Sequence, residues 1–124
     1  MVEIARQWRH EIERGPNLLI IRLFADDVGP DGFADLADSL WNVLEQHFTY
    51  RAVVDCSGIA SVTRELIDQF IELGDRIASA GGMLRLCGLS KRDLRQLREE
   101  EIYGRFACYP TCAEAINESP RKPR

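Results

Sequence analysis

Ala52-Val53-Val54-Asp55-Cys56-Ser57-Gly58, the stripe Leu66, Phe70, Leu73 and Ile77, and then Gly81-Gly82-Met83-Leu84-Arg85-Leu86-Cys87 form the stretch that decides the fold. Its first piece is a short apolar run stopped by Ser57-Gly58, which predicts a buried strand. The middle piece, reinforced by Ile67, Ile71 and Ala78, recurs with the 3.6-residue period of an amphipathic helix. Thr63 offers an N-cap oxygen, and Glu65 places a carboxylate at the positive end of the helix dipole. Gly81-Gly82 closes that helix because glycine accepts the left-handed backbone. Met83 to Cys87 reads as the next strand. Strand, helix, strand in this order predicts a right-handed crossover between parallel neighbours.

Working outward, Phe33, Leu36, Leu40, Val43 and Leu44 share one helical face, with Asp35, Asp38 and Glu45 opposite. They predict a helix over 31–48 with Asp31 as its N-cap. Before it, Trp8 to Glu13 alternates bulky apolar residues with charges, the pattern of a half-exposed strand. Arg14-Gly15-Pro16-Asn17 reads as a turn, and Leu18 to Phe24 as a strand covered on both faces. Together these make a β-hairpin whose first strand is the sheet edge. Downstream, Ser90 with Asp93 predicts a capped helix over 91–103, and Arg105 to Tyr109 a last strand. Thr111 with Glu114 is a second capping box, opening a short helix through Glu118. The order ββαβαβαβα is that of an α/β fold: a mixed, mainly parallel five-stranded sheet, an antiparallel N-terminal edge strand and about four helices.

A chain of 124 residues has room for one core, so the expectation is a single domain over 1–118 and a short, disordered basic tail over 119–124. With 45% hydrophobic and 29% charged residues, the composition is globular rather than disordered. The longest apolar run, Leu18 to Ile21, is broken by Arg22 and is too short to span a bilayer. The first residues lack the apolar stretch of a secretory signal, which predicts a cytoplasmic protein. The net charge is −4 although the last six residues carry three positive charges and no negative one, so the body is acidic. Such a surface repels phosphate backbones and excludes nucleic acid as the main partner.

Catalytic motifs are missing: there is no Gly-rich phosphate loop, no GxSxG and no HExxH. Of the two histidines, His10 falls on the edge strand and His47 near a helix C-terminus, where an imidazole compensates the dipole. Asp26 and Asp27 with Asp31 offer oxygen ligands, but their spacing matches no calcium loop, and they read as a solvated loop. Glu99-Glu100-Glu101 reads as an exposed helical surface. Cys56, Cys87, Cys108 and Cys112 form no CxxC pair and have no adjacent histidine, so they are expected to be reduced, buried and hydrophobic in role. The expectation is a chain with no enzymatic activity, no cofactor and no metal.

Three segments carry a family likeness. Arg51 to Ile59 resembles the strand and turn of STAS domains, typified by anti-sigma factor antagonists. Ala80 to Ser90 resembles that family's glycine-stopped helix, fourth strand and turn, and Phe106 to Ala115 its closing strand and last helix. The likeness covers about residues 8–118 in collinear order. It implies the STAS fold, a mixed sheet with one antiparallel edge strand and packed helices. It also implies a non-catalytic, partner-switching role in transcription control, with an anti-sigma factor kinase or a related signalling protein as the partner.

The family's switch is an Asp-Ser-Ser-Gly or Asp-Ser-Thr-Gly motif at the start of the helix after the third strand. Aligned without gaps, those positions hold Thr63, Arg64, Glu65 and Leu66. Arg64 stands at the phosphoacceptor position and Glu65 adds a permanent carboxylate. Phosphate on a serine there would add nearly two negative charges and release the partner. This chain is therefore expected to bind without that switch. The resemblance implies a docking surface of Asp26, Asp27, Ser57, Ser61, Thr63, Arg64 and Glu65. Thr63 is the single hydroxyl at the helix start and reads as an N-cap before a displaced phosphosite. Asp55 reads equally as a brace for that surface or as a local turn cap. The alternative function is a STAS accessory subunit of a membrane transport complex, with the basic tail near lipid.

Overall fold

The computed structural model describes residues 8–15, 17–25, 32–60, 62–101 and 106–117. Five strands occur in the expected order: β1 (Trp8–Gly15), β2 (Leu18–Ala25), β3 (Arg51–Ile59), β4 (Met83–Cys87) and β5 (Ala107–Cys108). Four helices alternate with the later strands: α1 (Leu36–Gln46), α2 (Arg64–Ser79), α3 (Lys91–Glu101) and α4 (Cys112–Asn117). The sheet order is β1-β2-β3-β4-β5. β1 pairs antiparallel with β2, and all the other neighbours are parallel. This is the mixed architecture that the periodicities predict. Among the described residues, no helix is long and apolar enough to cross a membrane.

Strand alternation feeds two cores. Leu19, Ile21, Val54 and Leu86 point to one face, where α1 adds Leu40 and Leu44, and α2 adds Leu66, Phe70 and Ile77. Leu97 of α3 and Phe106 complete that cluster. Leu18, Ile20, Val53 and Cys87 point the other way, beneath Ala115 of α4. β2 is thus buried on both faces, as its continuous apolar run requires.

Three boundaries differ from expectation. Ser57-Gly58 does not stop β3, which runs on to Ile59. The register of β2 on β3 shifts between Arg22 and Phe24, and Phe24 then pairs with Gly58. A Cβ at Gly58 would lie 2.5 Å from the Leu23 carbonyl oxygen and 2.6 Å from Phe24 Cδ1, so this glycine serves a close strand approach rather than a turn. The paired part of the last strand narrows to Ala107–Cys108, although the Tyr109 amide still donates to the Leu86 carbonyl at 2.8 Å.

The third difference concerns α1, which begins at Leu36 with Asp35 at the N-cap, while Asp31 lies outside the described residues. Asp35 makes no side-chain cap bond; its Oδ1 accepts from Trp8 Nε1 at 3.3 Å. Gln69 of α2 takes over, accepting the Ala37 amide at 2.9 Å. The helix ends after Gln46, and Phe48 follows with φ 53° and 91% exposure. A left-handed phenylalanine gains no packing to offset its backbone cost. Phe48→Gly is therefore expected to stabilise the fold by about 0.5–1 kcal/mol in urea unfolding.

Candidate functional site

The C-terminal ends of the parallel strands share one end of the sheet, and short connections place the N-termini of α2, α3 and α4 there. The start of α2 is open. Thr63 takes an extended backbone (φ −92°, ψ 166°), and its Oγ1 accepts the Leu66 amide at 3.3 Å, which makes it the N-cap expected from sequence. Thr63 and Arg64 are exposed, Glu65 is half-buried and Leu66 is buried. Arg64 Nη2 lies 3.0 Å from Asp68 Oδ1, one turn along, so its guanidinium is paired within α2. As both partners are exposed, this pair is worth only a few tenths of a kcal/mol.

Behind that helix start the backbone is braced from α3. The Val62 amide donates to Asp93 Oδ2 at 3.4 Å, and the Asp93 amide donates to Ser90 Oγ at 3.1 Å. Asp93 is buried, which suits a carboxylate that serves backbone donors rather than solvent. On β3, Asp55 Oδ1 accepts from both the Ser57 amide (2.9 Å) and the Ser57 hydroxyl (2.7 Å), so this aspartate braces its own strand locally. Arg22 Nε approaches its other oxygen at 3.8 Å. Gly88 turns β4 toward α3 with φ +69°, and a Cβ there would stand 2.5 Å from Asp55 Oδ1.

Ser57 thus lies near the end of β3, Thr63 in the connection, and Arg64 and Glu65 on the first turn of α2, with Ser57, Thr63 and Arg64 exposed. Asp26, Asp27 and Ser61 lie outside the described residues, as does the tail over 119–124. His10 stands 5.9 Å, ring to ring, from Trp8, and His47 caps α1, its carbonyl accepting from Arg14 Nη1 at 3.3 Å.

The cysteine expectation needs correction. Cys87, the last residue of β4, and Cys112, the first of α4, are joined in a disulfide with their Cα atoms 5.0 Å apart. Their separation of 25 residues matches no motif; only the return of the chain through β5 brings them together. Asp55, the register partner of Cys87 across β3 and β4, completes a cluster whose donor atoms all lie within 4.8 Å of one another. Cys56 and Cys108 are buried and outside the disulfide. Burial chiefly, with the Asp55 charge next, pushes the Cys56 thiol far above its ordinary range and keeps it protonated.

Neither a family model nor a curated protein matches the chain. Solved structures do. A putative anti-sigma factor antagonist from Thermotoga maritima superposes with a TM-score of 0.71 at 14% identity, over 90% of this chain and 95% of that one. A STAS domain protein from Planctomyces limnophilus gives 0.68 at 17% identity, over 86% and 94%. The chain has the STAS fold. A serine-to-glutamate variant of Moorella thermoacetica RsbS is a further STAS-like neighbour, with a TM-score of 0.71 at 14% identity over 89% of this chain and 93% of that one. At such identities the likeness is one of fold, and it agrees with the strand order and helix placement above.

Proposed function

We propose that this chain is a non-catalytic STAS-type docking module that binds a signalling protein through the β3–α2 connection and the start of α2. The exposed helix start carries the proposal: Thr63 and Arg64 face solvent while Leu66, three residues after the cap, is locked into the core. A surface held from beneath by Leu66 and Asp93 is pre-organised, so a partner meets it without an ordering cost. An anti-sigma factor kinase or a related signalling protein is the partner class that the fold neighbours favour. Binding here is constitutive toward serine kinases of that class, because Arg64 and Glu65 replace the acceptor and its neighbour. The transport-subunit alternative rests on the basic tail, which lies outside the described residues.

Capture from lysate of the native cells tests the reading. Wild type is expected to retain a kinase-like or sigma-regulatory protein, and Arg64→Glu with Glu65→Lys to lose it while keeping its circular dichroism spectrum. Retention by both proteins would place the docking surface elsewhere. Incubation with the captured kinase and ATP is expected to leave the intact mass unchanged; one added phosphoryl group mapped to Thr63 would restore a displaced switch.

A further inference from the structure

We propose that Cys87 and Cys112 form a reversible thiol–disulfide site that clasps α4 to the second face of the sheet. The proposal stands independently of the docking surface. α4 has six residues, too few to persist as an isolated helix. Its hold on the sheet comes from a small apolar cluster around Ala115, from Arg85 Nη1 donating to the Ala115 carbonyl at 2.7 Å, and from the Cys87–Cys112 bond. Removing one of these attachments is a large change for so short a segment. The two sulfurs are also unequal: Cys87 is buried at the end of β4, whereas Cys112 is half-exposed on the first turn of α4.

That inequality sets the chemistry. An incoming thiolate of a small dithiol or of glutathione attacks the Cys112 sulfur and forms a mixed disulfide, and Cys87 leaves as a thiolate that takes up a proton. A second reductant thiolate attacks the reductant sulfur of that mixed disulfide, releasing Cys112, which is protonated in turn. Two electrons and two protons pass to the protein, and the reductant leaves as its disulfide. Glutathione disulfide reverses both exchanges. In the reduced state Cys87 presents an S–H donor beside Asp55, whose Oδ1 already accepts from Ser57, so the redox state reaches β3 as well as α4.

The test equilibrates the full chain in glutathione buffers of graded composition, traps thiols with N-ethylmaleimide and maps the labels. With the trap applied in denaturant, so that burial does not limit labelling, Cys87 and Cys112 are expected to become labelled together in one two-electron transition, while Cys56 and Cys108 are labelled in every buffer. Amide exchange in residues 112–117 should accelerate roughly tenfold or more on reduction, with the middle of α2 unchanged. Cys87→Ser with Cys112→Ser should show that fast exchange in every buffer; if this variant does not fold, the labelling and exchange of the unaltered chain decide. Disulfide retained in fully reducing glutathione, α4 protection indifferent to reduction, or one zinc ion per reduced chain bound by the two thiolates and Asp55 would each overturn the proposal.

Discussion

Phe70→Ala is expected to lower the unfolding free energy by about 3–5 kcal/mol, the largest effect of any single substitution considered for this chain. Phe70 lies midway along α2, fully buried, and is the bulkiest of the fully buried side chains among the described residues. It belongs to the cluster in which Leu40 and Leu44 of α1 meet Val54 and Leu86 of the sheet. Truncation leaves a cavity walled by helices and strands that cannot all collapse, so the cost exceeds simple transfer of the ring. A urea titration measures it. A loss below about 1 kcal/mol would mean that α2 is not seated on the sheet as described. The same variant should weaken partner capture, because the start of α2 is positioned by the helix body behind it.

Gly82→Ala ranks next, with an expected loss of about 3 kcal/mol. An added methyl at Gly82 would run into the Tyr50 carbonyl, whose carbon would stand 2.7 Å away. That carbonyl cannot step aside cheaply. It accepts the Met83 amide at 3.0 Å, and the Tyr50 ring stacks on Trp41 with centroids 5.3 Å apart. Gly82 itself donates to the Ile77 carbonyl at 2.9 Å, which ties its backbone to the end of α2. Gly81→Ala is the informative comparison. A methyl there meets nothing within 4 Å, and the penalty is only that of its positive φ (+78°), about 1 kcal/mol. Thermal or urea unfolding that ranked Gly81 above Gly82 would contradict this account of the α2–β4 junction.

The candidate site was legible in part. Thr63 was recognisable as a cap from its hydroxyl and the apolar stripe after it, and the structure places its Oγ1 on the Leu66 amide. The expectation that Arg64 and Glu65 replace a switch motif came only from resemblance to a family, since nothing in their own chemistry marks a phosphoacceptor position. The support from Asp93 to Val62 was hidden. Ser90 with Asp93 reads as a local capping pair, but the carboxylate reaches a residue 31 positions away. Cys87 and Cys112 were read as hydrophobes because spacing is the only linear signal a cysteine pair gives, and theirs carries none.

What the amino-acid order by itself determined is everything written within a few residues. The hairpin came from alternation followed by an apolar run, α2 from its period, cap and glycine stop, and the mainly parallel sheet from the succession of strands and helices. Tertiary structure alone decided how Gln69 relieves Asp35 at the start of α1, how β3 passes through Gly58 beneath Phe24, and which cysteines meet. The physical reason is range. Backbone propensity and side-chain caps act over three or four positions, whereas these contacts join residues at least 25 apart and exist only once strand register and helix packing have set them side by side.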